Sequence, residues 1–217
     1  IKHIKKNLNG VSKLSPDRLL SEFKKIFSSC DLEKFCADNF SYEIIKLIFP
    51  QFKGLVYFKN LNHQSSEKLY KLDFIFVLSL LIIDDTDNTE YFIYKFNISK
   101  KDQKRILNIK NFYLNKNKIN SKNLWVILYR YGKESLNDIL NYKIYTSKKI
   151  DKNLIKHLEF FQDKEVPVFP VKGEDLIQKF NIPEGKKIGD NLKLIEDVWL
   201  ENNFKINEDQ IKKIIKA

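Results

Sequence analysis

The chain has 217 residues, 43% hydrophobic and 31% charged, which supplies a packed core and excludes wholesale disorder. Six glycines and five prolines argue against turn-rich sandwiches and propellers and favour long helices. A net charge of +11 suits a polyanion such as RNA, DNA or an anionic membrane. However, 36 lysines beside three arginines, 27 isoleucines and 21 asparagines also fit a genome rich in A and T, which loads a surface with lysine whatever its function.

The elements read as helices throughout. Ser15 caps a helix that Pro16 and Asp17 open, and Leu19, Leu20, Phe23, Ile26 and Phe27 follow at helical spacing. Phe40-Ser41 begins a second, carrying Ile44, Ile45, Leu47 and Ile48 and stopped by Pro50. Ser65-Ser66-Glu67 opens a third that runs through Leu69, Leu72 and Phe74 to Ile83. It is apolar almost all round and so predicts the central buried helix; the polar stretch from Asp84 to Glu90 ends it. Ser99 caps a helix through Ile106, Ile109 and Phe112. Ser121 to Tyr131 and Lys133 to Ser147 predict a helical hairpin turning at Gly132, and Asp151 to Gln162 one more helix.

Pro167-Val168-Phe169-Pro170-Val171 is extended, because two prolines forbid helix there. A short helix near Glu174–Phe180, a turn at Asn181-Ile182-Pro183 and a helix from Glu184 follow. Ile188, Leu192, Ile195 and Trp199 make one apolar stripe, and Asn207 to Lys216 closes the chain as a basic helix. The expected fold is all-α, a multi-helix body with a small helical tail. Its expected divisions are 1–28 (a first helical unit), 29–165 (the body) and 166–217 (the tail).

Cys30 and Cys36 lie too close for a disulfide framework and lack zinc spacing, and His3, His63 and His157 are scattered. No metal site is expected, and reduced thiols point to the cytoplasm. The apolar run from Phe74 to Ile83, interrupted by Ser79, is too short to span a bilayer. With no methionine and an opening of Ile1-Lys2-His3, the chain reads as part of a longer protein.

Asp84-Asp85-Thr86-Asp87 has the D-x-D spacing that can hold two magnesium ions in nucleotidyl transfer. That use needs a strand with a Gly-Ser turn nearby; no glycine lies between Gly54 and Gly132, so the run reads as a solvated loop. No nucleophile elbow, Walker loop or dinucleotide fingerprint is present. Gly185-Lys186-Lys187-Ile188-Gly189 at a helix start either presents N–H groups to a phosphate or packs a neighbouring helix closely at Gly189. Arg18 precedes Glu22 at i and i+4, the weaker order for a local pair, which leaves a tertiary role for Arg18 open. Tyr129-Arg130-Tyr131 either stacks single-stranded RNA or packs within the fold.

Several of these segments carry a resemblance. Leu14-Ser15-Pro16-Asp17-Arg18-Leu19-Leu20-Ser21-Glu22-Phe23 resembles the L-S-x-E-R segment of class II tRNA nucleotidyltransferases and bacterial poly(A) polymerases. Ile48-Phe49-Pro50, Ser99 to Leu107 and Leu128-Tyr129-Arg130-Tyr131-Gly132 are similar to further stretches of that family in the same order. So are Pro167 to Leu176, beside P-x-F-P-L-x-G-x-D-L, and Ile182 to Gly189, beside I-P-P-G-x-x-I-G, with Trp199 beyond. The long tail looks most like the CCA-adding branch.

The resemblance implies an all-α grip on the acceptor and T-arm region of tRNA, with 1–28 as the end of a neck before the body and tail. The family's catalytic head, with its G-S, D-x-D and R-R-D motifs and the nucleotide-reading E-D-x-x-R, has no counterpart in these residues. Mg²⁺ and CTP or ATP would belong to that head, and the chain alone is expected to be inactive. The RNA-binding residues expected are Arg18, Arg130, Lys172, Gly185, Lys186 and Lys187, with Arg18 and Glu22 as a structural helix pair. The expected partners are tRNA or other RNA and a separate catalytic head, with no membrane. The rivals are the same region of a poly(A) polymerase and a helical scaffold with no RNA role.

Overall fold

The computed structural model describes residues 6–7, 10–11, 13–29, 32–59, 73–115, 118–147, 149 and 151–216. Twelve helices and no strand occur among the described residues, an all-α fold as the composition predicts. They are α1 (Pro16–Ser29), α2 (Leu32–Ala37), α3 (Asn39–Ile48), α4 (Leu55–Lys59), α5 (Phe74–Ile82), α6 (Asn88–Lys95), α7 (Lys100–Leu114), α8 (Ser121–Thr146), α9 (Lys152–Gln162), α10 (Gly173–Phe180), α11 (Lys186–Glu201) and α12 (Glu208–Lys216). The backbone leaves helical geometry inside α8 at Gly132 (φ 80°, ψ 175°). The chain divides into two compact units, residues 1–117 with 134–162 and residues 118–133 with 163–217. Grouping 118–133 with the tail has no signal in the sequence.

The caps follow from local chemistry. Ser15 Oγ accepts the Arg18 N–H at 3.3 Å ahead of α1. Asp38 Oδ2 accepts the Ser41 N–H at 2.8 Å for α3, and Ser99 Oγ accepts the Asp102 N–H at 3.2 Å for α7. Asn207 and Gln210 exchange backbone-to-side-chain bonds of 3.0 and 2.9 Å at α12, a reciprocal cap.

The helix expected from Ser65 to Ile83 is interrupted at Asp73. Residues 60–72 lie outside the described part, and Asp73 is an extended N-cap (φ −76°, ψ 163°) whose Oδ1 accepts the Ile75 and Phe76 N–H groups at 2.9 and 3.1 Å. The buried helix therefore starts at Phe74. Cys30, His3 and His63 also lie outside the described residues, and Cys36 is buried in the core.

Every residue of α5 from Phe76 to Ile82 is buried, so its last carbonyls need partners from neighbouring chain. Gly54 N–H donates to the Leu81 carbonyl at 2.9 Å. The Ile82 carbonyl takes Asn88 Nδ2 at 2.8 Å and Thr89 Oγ1 at 3.1 Å. These two residues begin α6, which the sequence reading passed over as loop. α6 ends at Asn97 (φ 47°), where Asn97 N–H bonds the Tyr94 carbonyl at 3.3 Å and Ile98 N–H the Ile93 carbonyl at 3.2 Å. This is a Schellman cap with asparagine where glycine is usual.

Around α5 the first unit packs on phenylalanine. Phe23 of α1 meets Phe52 at 4.8 Å, Phe49 and Phe52 stack at 4.6 Å, and Phe92 stacks on Phe96 at 4.3 Å. Each adds ring-on-ring geometry to its buried area.

Arg105 of α7 ties three segments. Its Nη1 and Nη2 donate to Asp73 at 2.9 and 2.5 Å. Its Nε and Nη2 donate to Asp138, the latter at 2.8 Å, and Glu134 stands 3.2 Å from Nη1. Burial disfavours the guanidinium charge, but the bonds to Asp138 and Asp73 hold its pKa above the ordinary arginine value. Burial also opposes the Asp73 charge; the bonds from Arg105 and the Phe76 N–H outweigh it and hold that carboxyl below its usual range. Lys110, one turn further along α7 and buried, holds the loop after α5 through the Thr86 carbonyl at 2.6 Å and Glu90 at 2.5 Å.

Two stability predictions follow from this packing. Arg105→Leu leaves Asp138 buried without its cation and lowers unfolding free energy by about 3–5 kcal/mol; adding Asp138→Leu recovers a large part, as urea midpoints at constant slope would report. Gly54→Ala places a Cβ 1.7 Å from the Leu80 carbonyl oxygen. It costs at least about 1–3 kcal/mol, whereas the same change at Gly189, where a Cβ meets nothing within 4 Å, is neutral or stabilising.

Candidate nucleic-acid interface

The second unit has its own small core of Leu176, Ile182, Ile195 and Ile211, with Phe169, Val171, Ile188 and Leu192 packed on it. The predicted stripe of α11 thus faces that core. The extended Pro167–Val171 segment is anchored by Phe169, whose ring lies 5.3 Å from Trp199.

This packing puts two helix starts side by side. A Cβ at Gly173, the first residue of α10, would stand 3.4 Å from Ile188 Cγ2 in the first turn of α11. Lys172 precedes one helix, Gly185 precedes the other, and Lys186 and Lys187 begin it; all four are exposed. The structure therefore brings together the tail residues that the sequence singles out.

The two helix ends differ. At α10 the Lys172 N–H donates to Asp175 Oδ2 at 2.9 Å, and Asp175 pairs with Lys179 at 3.1 Å. The first of these bonds, then the second, holds the Asp175 carboxyl below its usual range. At α11, Gly185 (φ 139°) has no side chain to cap with, and the first turn holds no acidic residue. Its leading N–H groups and dipole thus have no carboxylate in their own turn, and two lysines flank them. Gly189 makes no close approach, so tight helix packing does not account for that glycine; Gly185 is required by its positive φ.

Tyr129-Arg130-Tyr131 splits three ways. Tyr129 packs inward: its ring lies 5.0 Å from Trp199 and its hydroxyl donates to Glu196. Burial first, then Glu196, pushes its pKa up to about 12. Arg130 is half exposed with Asp197 at 3.5 Å, and Tyr131 is exposed.

In the first unit, Arg18 is exposed on α1. Glu22 takes Lys25 at 2.8 Å. That bond, with a smaller contribution from Arg18, holds its carboxyl below the usual range. Arg105 is committed to carboxylates, as described above.

Asp84 Oδ1 is engaged by the Thr86 N–H and hydroxyl at 3.0 and 2.7 Å, while Asp85 and Asp87 are exposed. Among the described residues no group of three His, Cys, Asp or Glu side chains is placed to hold a metal ion. No helix of the described residues is long and apolar enough to cross a membrane.

One basic feature escaped the sequence reading because it emerges only from the grouping of segments. Residues 163–217 carry ten lysines against eleven carboxylates, whereas residues 118–133 carry Lys118, Lys122, Arg130 and Lys133 with no carboxylate. The positive excess of the second unit thus sits in its amino-terminal segment.

No curated protein matches this chain. The family described as tRNA nucleotidyltransferase domain 2 matches residues 70–215. That span runs from the approach to α5 through both units to the last helix, and it takes in Arg105, the Tyr129-Arg130-Tyr131 run and the paired helix starts of the tail. It covers well over half of the chain, which therefore belongs to the tRNA nucleotidyltransferase domain 2 family.

Proposed function

We propose that this chain is the tRNA-gripping, carboxy-terminal part of a cytoplasmic CCA-adding tRNA nucleotidyltransferase. In this reading residues 1–28 end a neck, 29–165 form the body and 166–217 the tail. The helices hold the phosphate backbone through Lys and Arg without reading bases. Nucleotide addition, with its Mg²⁺ and CTP or ATP, belongs to a separate catalytic head. The observation that carries the reading is the basic start of α11 at Gly185-Lys186-Lys187, with no carboxylate in its first turn and Lys172 of the neighbouring helix start beside it, within the span matched to the family. Uncapped N–H groups, a positive dipole end and mobile lysines together suit phosphate oxygens. Arg130, half exposed, supplies a further phosphate contact, and Arg18 one from the neck.

Phosphate contacts release counterions, so affinity falls by about 0.7–0.9 log units per contact for each decade of salt. The Lys172→Ala/Lys186→Ala/Lys187→Ala variant should bind a tRNA transcript more weakly, its salt slope reduced by about one to three contacts with the fold intact by circular dichroism. An unchanged slope would move the RNA away from the tail. The purified chain should bind tRNA yet incorporate no CTP or ATP; magnesium-dependent addition by the chain alone would overturn the assignment of chemistry to a separate head.

A further inference from the structure

The basic start of α11 leaves unused an apolar recess of the second unit. A cavity of about 560 Å³ lies between Ser121, Lys122 and Trp125 at the start of α8, Pro167 of the extended segment, and Asn203 and Phe204 after α11. Among the described lining residues Trp125 and Phe204 are aromatic, and none is a carboxylate. The Trp125 and Phe204 rings stand 6.2 Å apart at 60°, giving the recess two walls of flat apolar surface.

Phe204 is held there at a conformational cost. The Phe204 N–H bonds the Trp199 carbonyl at 2.8 Å, and the two rings pack at 4.8 Å. This is the Schellman closure of α11, which accounts for the left-handed Asn203 (φ 55°). It does not account for Phe204 itself being left-handed (φ 63°), a region that bulky residues rarely enter. That conformation belongs to the residue that walls the recess.

The charge around the recess selects its occupant. Lys122 lies on its lining, in a segment, residues 118–133, that contains four basic residues and no carboxylate. The start of α8 is already capped, with Asn120 Oδ1 accepting the Asn123 N–H at 2.9 Å, so the cation on offer is Lys122. A flat apolar cleft with one mobile cation at its edge suits a planar ring attached to a phosphate.

We propose that this recess receives an unpaired nucleobase of the bound RNA, stacked on Trp125 and Phe204, with its phosphate at Lys122. This deepens the reading above and rests on it: the grip on paired backbone is joined by one base-stacking anchor that is indifferent to sequence.

Trp125 and Trp199 are the two tryptophans, and Trp199 is buried. In a Trp199→Phe background the emission therefore reports Trp125 alone. A tRNA transcript should quench it, whereas a fully paired RNA duplex should bind without quenching. Trp125→Leu should weaken tRNA binding about tenfold or more while leaving the salt slope unchanged, and Trp125→Phe, which keeps a ring, should restore most of the affinity. Lys122→Ala, an exposed change, should lower the slope by about one contact.

Bound tRNA with no quench, equal quench by the duplex, or full affinity in Trp125→Leu would overturn the recess and leave the RNA reading standing. Failure of the parent chain to bind tRNA would overturn both. Should Trp125→Leu not fold, the quench and the Lys122→Ala slope still decide the matter. Quench by a protein partner with none by RNA would assign the recess to protein docking instead.

Discussion

Burying a helix that is apolar on every side is the constraint around which the first unit is arranged. α5 has no polar face to offer water, so its backbone ends must be satisfied from within the protein. Asp73 closes the amino end, and Gly54, Asn88 and Thr89 close the carboxyl end. The cap itself is charged, and Arg105 neutralises it while reaching Asp138 on α8. A cap, an ion pair and a helix–helix contact are thereby one cluster. The cluster fixes where α7 and the second half of α8 lie against the core, and Lys110 fixes the loop between α5 and α6 from the same helix. Desolvation of Arg105 and Asp138 offsets much of their attraction, so removing one partner costs more than the pair contributes in net stability.

The second unit is organised differently. It has a modest aliphatic core and a chain of rings, Phe169, Trp199, Tyr129 and Phe204, joining its two segments. Several of its carboxylates are used internally, as at Asp175, Glu196 and Asp197. Residues 118–133 contain no carboxylate, and the first turn of α11 carries Lys186 and Lys187 with none. A chain that carries much lysine by composition alone still distributes its carboxylates, and it is the distribution of carboxylates that marks the surfaces left positive.

The helical fold was legible because low glycine and proline, apolar spacing and Ser or Asp caps all point the same way. The stripe Ile188, Leu192, Ile195 and Trp199 is a case where periodicity alone was sufficient. Two misses have physical causes. Apolar Leu69 and Leu72 continue the pattern back towards Ser65, whereas the Asp73 cap sets the start of α5 at Phe74. α6 was passed over because Asp84 to Glu90 is polar, yet Asn88 and Thr89 are polar in order to bind carbonyls of a buried helix. On the candidate site, Lys172 and Gly185-Lys186-Lys187 were legible from glycine and charge at helix starts. The inward packing of Tyr129 and the recess at Trp125 were not, since both depend on Trp199 and Phe204, about 70 residues away in sequence. Left-handed caps occur with little glycine, carried by Asn97, Asn181 and Asn203.

The interleaving of the two units has a consequence for synthesis. Residues 118–133 leave the ribosome well before Trp199 and Phe204, the rings on which Tyr129 and Trp125 pack. The first unit can close once Gln162 has emerged, while this stretch, already threaded between its two parts, still lacks its partners. Its aromatic side chains stay uncovered until Trp199 and Phe204 have been made, a window in which hydrophobic surface invites chaperones or aggregation. Completion of the tail therefore ends the exposure of a segment made some 70 residues earlier, and a ribosome that stalls within α11 would release a chain whose first unit is folded and whose aromatic stretch is not.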